Sequence, residues 1–314
     1  MTRYLVARVL AAIPVMLLVA TGVFLLLFLT PGDPVATILG SDASPERVRE
    51  LRTQLGLDDP LPLQLVRWLG RLLHGDLGSS IFLGRPVTQA IAERAEPTLL
   101  LTLLSTLFAV SLGVPMGLLA ATRAGSWADV GAMLVGLAGV SMPTFWVGLN
   151  LIFVFAVALN WLPVAGYQPL SAGPGESLRY LILPAITLGF PQAALLARMT
   201  RSVMLDTLRE DYVRTARSKG LQEQRVVLLH ALRNALIPLA TVLGLIVAVL
   251  LGGAVVTEQV FNIPGVGRLL VQAVGRRDYP LVQGVVLVIA GVYVLVNLCV
   301  DLAYGVLDPR VRYR

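Results

Sequence analysis

Apolar and polar positions fall in long blocks. Asp, Glu, Lys and Arg are absent from 9–29, 97–122, 130–175, 180–197, 234–257 and 279–300. A helix crossing a bilayer needs about 20 apolar residues, because the hydrocarbon core is about 30 Å thick. The run at 130–175 is long enough for two crossings. Its second part, however, reads Trp161-Leu-Pro-Val-Ala-Gly-Tyr-Gln-Pro-Leu-Ser-Ala-Gly-Pro-Gly175. That is loop chemistry, with Trp161 and Tyr167 suited to a membrane–water interface. One span and a loop are predicted there, which makes six transmembrane helices and an all-α membrane protein. The first run follows Arg3 and Arg8 as a signal peptide would. It is too long for one and lacks a small-residue cleavage site. It is therefore predicted to be retained, ending at Thr30-Pro-Gly-Asp-Pro34.

Composition supports a bilayer as the main solvent. Charged residues make up 14% of the 314, hydrophobic residues 56%, and the mean hydropathy is +0.77; soluble domains carry about 25% charge. So apolar a chain cannot remain disordered in water. One cysteine and two histidines exclude a disulfide scaffold and argue against a Cys/His metal cage. The net charge of +6 is placed asymmetrically. The N-terminus, the 123–129 loop, the 198–233 segment and the tail hold fourteen Lys/Arg, against four in the short loops opposite. Positive residues accumulate on the cytoplasmic side, so both termini are predicted to be cytoplasmic.

Two segments outside the spans have organisation of their own. In the 30–96 loop, Ser44-Pro45-Glu46 is a helix start, with an N-cap, a first-turn proline and an acid at the positive dipole end. Gly56 is a natural stop. A second helix is expected after Pro62, with Leu65, Trp68, Leu69, Leu72 and Leu73 as its apolar stripe. It fits either a cap on the outer membrane face or a docking surface for an extracytoplasmic partner. In 198–233, Leu205, Leu208, Tyr212 and Ala216 recur at helical spacing, and Glu210 and Arg214 form an i,i+4 pair. Lys219-Gly220 closes that helix. A second short helix, roughly 222–233, leads into the fifth span. By itself the segment reads more readily as a solvated basic loop on anionic lipid.

Enzymatic motifs are absent. The only lysine, Lys219, lies outside any Gly-Lys-Ser/Thr phosphate loop, and His74 and His230 are far apart. Gly139-Val-Ser141-Met-Pro143 lacks the last glycine of a nucleophile elbow. The spans carry no mid-membrane carboxylate of the kind a proton-coupled carrier uses; Glu258, Asp278 and Asp301 only flank them. Cys299 reads as a small buried hydrophobe. The spans do hold small residues that allow close helix approach, at Gly113, Gly117, Gly131, Gly136 and Gly139. They also hold the prolines Pro143, Pro184 and Pro191 and the polar residues Asn150, Gln192 and Asn297.

Asp211-Tyr-Val-Arg-Thr-Ala-Arg-Ser-Lys-Gly220-Leu, with His230-Ala-Leu-Arg-Asn-Ala-Leu-Ile-Pro238, resembles the coupling loop of ABC importer permeases. The likeness is to the B-type subunit of the dipeptide/oligopeptide/nickel subfamily. It extends along the chain through Pro31-Gly-Asp-Pro34, Gly75-Asp-Leu-Gly78-Ser, Pro143-Thr-Phe-Trp146-Val-Gly and Trp161-Leu-Pro163. It continues through Glu258-Gln-Val-Phe-Asn-Ile-Pro-Gly265, Arg277-Asp-Tyr-Pro280 and Asp308-Pro-Arg310. The resemblance implies a type I permease fold in a multi-pass prokaryotic inner-membrane protein that is not itself an enzyme. Residues 1–96 would hold the first span (about 9–29) and an extracytoplasmic helical loop. The core would be 97–305, with spans at about 97–122, 130–159, 180–200, 234–257 and 279–303 and a cytoplasmic elbow at 204–233. A tail follows at 306–314.

Implied partners are a C-type permease, two ABC ATPases that bind the ATP and Mg, an extracytoplasmic solute-binding protein and the lipid bilayer. No nucleic acid and no cofactor or metal in this chain are implied. Asp211, Tyr212, Val213, Arg214, Thr215, Ala216, Arg217, Lys219 and Gly220 would couple to the ATPase. In the general permease pattern a glutamate stands where this chain has Arg214, so Arg214 should meet an acidic surface. Trp146, Asn150 and Gln192 are expected along the solute pathway. Cargo would be peptides, with nickel or glutathione as alternatives. A stand-alone secondary carrier or a membrane receptor or scaffold are the competing classes.

Overall fold

The computed structural model describes residues 2–29, 35, 44–55 and 58–307. An apolar run in lipid has no water for its amides, so helix satisfies them locally. The helices are α1 (Thr2–Leu29), α2 (Pro45–Leu55), α3 (Leu61–Leu73), α4 (Val87–Thr122) and α5 (Trp127–Ser141). Next come α6 (Thr144–Leu151), extended by a π-helical segment Ile152–Ala158, and then α7 (Pro174–Thr207) and α8 (Asp211–Ser218). A single turn, Glu223–Arg225, runs through a π segment, Val226–Ala231, into α9 (Leu232–Val260). α10 (Val266–Gly275) and α11 (Tyr279–Leu307) complete the described chain. Pro31–Pro34, Gly56 and the Asp308–Arg310 motif lie outside the described residues.

By length and composition α4, α7, α11 and the helix formed by Glu223–Gly252 are able to cross a membrane. The α5–α6 pair is a fifth such element, but it is bent by 104° at its break, where the charge-free run predicts one continuous helix over 130–159. Pro143 explains the bend. It lacks an N–H, and its ring drives Met142 into extended backbone (φ −83°, ψ 133°). Pro184 and Pro191, by contrast, lie inside α7 without ending it.

The contacts divide the chain into two units. One is built from Glu96–Pro264 and the segment beginning at Leu295, the other from Thr2–Ala95 and Gly265–Val294. In the first, α7 is the central helix. A Cβ on Gly113 of α4 would lie 2.6 Å from the Ala193 carbonyl oxygen and 3.0 Å from the Leu196 Cβ. Gly117 lies equally tight on Ala197 and Thr200, and a Cβ on Gly189 would fall 2.7 Å from the Ser105 oxygen. Contacts advance together along both helices, so α4 and α7 run parallel. On another face of α7, Gly139 of α5 approaches Ala194, and Asp129 pairs with Arg201. That order is antiparallel. Leu101, Leu181, Leu188, Leu196, Ile246, Leu250 and Phe261 fill the main core.

In the second unit, Val87, Ala90, Ile91, Leu269, Ala273, Leu281 and Val285 join the start of α4 to α10 and α11. Ser44 caps α2 as expected, accepting from the Arg47 amide at 3.4 Å. α3 packs on α1 through Trp68, whose ring centroid is 5.6 Å from that of Phe24, with Leu65, Leu69 and Leu72 beside it. Leu73 leaves the predicted stripe and is 88% exposed. At about 100° per residue it lies roughly 140° around the helix from Trp68.

Cys299 is exposed rather than buried. Among the described residues it lies on an exposed face of α11, where a thiol is compatible with an apolar surrounding.

Replacing Gly113 by Val should force α4 away from the α7 backbone and destabilise the chain by about 1–3 kcal/mol. Gly131→Ala should cost nothing, since a Cβ there meets no atom within 4 Å. Thermal unfolding of both variants in detergent checks the contrast.

Candidate functional site

The elbow forms because α7 stops. Leu208–Glu210 make a turn in which the Arg209 amide donates to the Asp206 carbonyl at 3.1 Å and the Glu210 amide to that of Thr207 at 3.2 Å. The expected single stripe through Leu205, Leu208, Tyr212 and Ala216 is therefore interrupted, and the register restarts at Asp211. In α8, Val213 and Ala216 point inward, onto a cluster with Ala121, Met204, Val226, Val227, Ala231 and Ala235. Asp211, Tyr212, Arg214, Thr215, Arg217, Lys219 and Gly220 are exposed. Two of the nine residues predicted to couple are thus anchors, and seven form an outward surface.

Ion pairs hold that surface in shape. Arg217 donates to both Glu223 oxygens (Nε–Oε2 3.1 Å, Nη2–Oε1 2.7 Å) and so ties α8 to the turn beyond Gly220. This hydrogen bond raises the Arg217 pKa further. Arg214 pairs with Asp211 at 3.5 Å instead of with Glu210. Glu210 is the residue before the helix, with extended backbone, so although its carbonyl accepts from the Arg214 amide at 3.2 Å its side chain does not take the direction of a helical i,i+4 pair. Gly220 has φ +76°, and a Cβ there would meet nothing within 4 Å. Glycine is favoured at this position by backbone conformation, not by crowding. Instead of forming a separate second helix over 222–233, the chain runs without interruption from Glu223 into α9.

Trp146 and Asn150 sit one turn apart on α6. Both are exposed, and the Asn150 side-chain Nδ2 donates to the Trp146 carbonyl at 2.8 Å. Gly148 between them faces the opposite way, against Phe261 and Thr187. Gln192 lies half-buried on α7.

The charge pattern gives Glu258 and Asp278 only a flanking place and marks neither Glu96 nor Asp129, yet these four acids organise the loops and helix ends. Glu258 is fully buried and accepts from the Thr98 hydroxyl at 2.6 Å. Asp278, also buried, accepts from the Ser80 hydroxyl and from the amides of Ile81 (3.2 Å), Phe82 (3.1 Å) and Leu281 (3.3 Å). The Arg276 guanidinium stacks 3.6 Å from the Phe82 centroid. Glu96 accepts from the Tyr167 hydroxyl and the Leu170 amide, each at 2.8 Å. Burial, together with that hydrogen bond, pushes the Tyr167 phenol above its usual range. Position is the signal that points to these acids: each borders or enters an apolar run, where an unpaired charge is costly. Among the described residues, no three His, Cys, Asp or Glu side chains gather as a metal site would require.

A parallel pair of long apolar helices, a third helix packed antiparallel on one of them and an exposed helical elbow define a polytopic helical membrane protein. Likeness to known proteins makes this specific. Residues 113–313 match the family described as binding-protein-dependent transport system inner membrane component, and residues 1–102 match its N-terminal family. A peptide transport system permease of Brucella abortus (strain 2308) is 50% identical over 313 residues, covering 100% of both chains. A peptide ABC transporter permease of Sinorhizobium fredii is 46% identical over 99% of both. A glutathione transport system permease of Salmonella paratyphi A is 45% identical over 100% of both. The inward-facing MetNI methionine ABC transporter shares the fold, with TM-score 0.58 and 18% identity, covering 70% of this chain and 97% of that one. The chain belongs to the binding-protein-dependent inner-membrane component family and is a multi-pass permease subunit of an ABC importer.

Asp278→Ala should release the 80–82 turn. Amide hydrogen exchange at Ile81 and Phe82 should accelerate by at least about tenfold, the equivalent of one lost charged hydrogen bond of about 1.5–3 kcal/mol. Exchange in α8 should not change, and mass spectrometry of the exchanged protein reads both regions.

Proposed function

We propose that this subunit carries peptides inward, pairing with a second permease of the C type and receiving solute from an extracytoplasmic binding protein. Full-length likeness to peptide and glutathione permeases supports that cargo class, since glutathione is itself a tripeptide. Nickel is the less favoured alternative. Six spans are proposed: α1, α4, the bent α5–α6 pair, α7, α9 and α11, with both termini cytoplasmic. The parallel packing of α4 on α7 supports one crossing between them, because only an odd number of crossings lets the two run the same way.

ATP and Mg are proposed to act in two partner ATPases, with 204–233 as the segment that meets them. The observation carrying this reading is the elbow itself. Val213 and Ala216 are sunk in the chain's own core, so α8 cannot move without α7 and α9, while Tyr212, Arg214, Lys219 and Gly220 face outward. ATPase closure would displace this rigid piece and switch the side to which the pathway opens, a population shift driven by differential binding to two states. Trp146, Asn150 and Gln192 are proposed pathway residues.

In vesicles holding the assembled complex, di- and oligopeptides should be taken up in an ATP-dependent manner, whereas nickel should not. Co-purification in mild detergent should bring two ATPases and a second permease; a functional single subunit would overturn the importer assembly. Gly220→Asp places a charged side chain at positive φ on the docking surface. It should leave membrane abundance intact and abolish solute-stimulated ATP hydrolysis. Stimulation equal to wild type would sink the coupling assignment.

A further inference from the structure

The pair Asp129–Arg201 is a two-pronged ion pair between two helices of the Glu96–Pro264 unit, and nothing in the transport reading so far uses it. Asp129 lies in the first turn of α5, capped by Ser126, whose hydroxyl accepts from the Asp129 amide at 3.4 Å. Its carboxylate is buried and triply engaged. It accepts from Arg201 Nε at 2.5 Å and Nη2 at 2.7 Å, and from the Gly125 amide at 3.0 Å. A carboxylate at a helix N-terminus is already favoured by the helix dipole, and the two-pronged guanidinium contact fixes direction as well as distance.

Placement gives the pair its meaning. The buried residues of α5 are Asp129, Ala132, Gly136 and Gly139. Their spacing of three, four and three residues puts them on one face, and that face lies on α7, with Gly139 against Ala194 and Phe190. α5 is thus held to α7 at two points, by small residues at Gly139 and by the ion pair at Asp129. Arg201 stands shortly before the end of α7 at Thr207, where the chain turns into α8. Beyond Ser141, α5 bends into α6, which carries Trp146 and Asn150.

We propose that Asp129 and Arg201 are positioning residues that act as a strut, carrying displacement of the α8 elbow from α7 into α5 and so into the bent α5–α6 pair. The proposal rests on the elbow reading and adds the route by which its motion reaches the pathway. Small-residue contact at Gly139 alone leaves α5 free to slide or pivot. The bidentate ion pair removes that freedom at the end nearest the elbow.

The test uses the complete complex in vesicles and measures solute transported per ATP hydrolysed. Arg201→Met and Asp129→Asn should retain membrane abundance and solute-stimulated ATPase activity, but lower that ratio by about 5–150-fold, the range of an ordinary coupling free energy. Arg201→Lys keeps the charge without the fork and should restore part of the ratio. A purely structural role would lower abundance, hydrolysis and uptake together, with the ratio unmoved. An unchanged ratio in Arg201→Met overturns the strut. If that variant does not assemble, Arg201→Lys decides by the same criterion, since a wild-type ratio there overturns the proposal and a lowered ratio supports it. Failure of the elbow reading itself shows separately, as retained ATPase stimulation in Gly220→Asp.

Discussion

Close approach of helix backbones along α7 is the constraint on which the Glu96–Pro264 unit depends. In lipid there is no hydrophobic gain in bringing two apolar helices together, so packing contacts and interhelical polar groups must hold them. Gly113 and Gly117 let α4 descend onto α7 carbonyls, Gly189 lets α7 meet the α4 backbone, and Gly139 lets α5 lie against the Ala194 and Phe190 side chains on another face. Because the α4–α7 contacts reach backbone oxygens, they resist sliding better than long side chains would. α8 is seated on α7 and on the start of α9 together, through Met204, Val226, Val227, Ala231 and Ala235.

Charge does the complementary work at the ends of the helices. Glu96 straps the loop that follows the π segment, and Asp278 holds the 80–82 turn. Asp129 joins α5 to α7, and Glu258 meets Thr98 across α4 and α9. Each carboxylate has specific donors, as burial of a charge requires. Several recognisable motifs owe their composition to this. Arg277-Asp-Tyr-Pro280 supplies a buried acceptor beside a positive φ at Arg277. Gly75-Asp-Leu-Gly78-Ser supplies two positive-φ glycines and the Asp76 oxygen that accepts from the Gly78 amide at 2.8 Å.

Several features are legible in the order of residues alone. Charge-free length predicts where helices stand, the loop chemistry of 161–175 predicts that the third run ends early, and Lys219-Gly220 predicts the break in the elbow. Gly113 and Gly117 announce a close helix contact without naming the partner. Register and direction are not legible in this way. The stripe through Tyr212 and Ala216 assumes a helix continuous across Leu208–Glu210, and the Glu210–Arg214 pair fails for the same reason. Leu73 joins its stripe by residue type, although the angle about α3 excludes it.

Sequence alone determined the solvent, the helical class and the family, because a bilayer imposes length, backbone pairing and charge distribution on each segment separately. Family motifs are likewise local strings. Tertiary structure alone decided that the α5–α6 pair bends by 104°, that α4 runs parallel to α7, and that Val213 and Ala216 anchor what their neighbours present. It also decided that Asp129 meets Arg201, 72 residues away. Such facts depend on which faces of distant helices come together, and a charge-free helix can rotate about its axis without altering its own hydrogen bonds. Only the fit of small residues and paired charges against a neighbour selects one rotation.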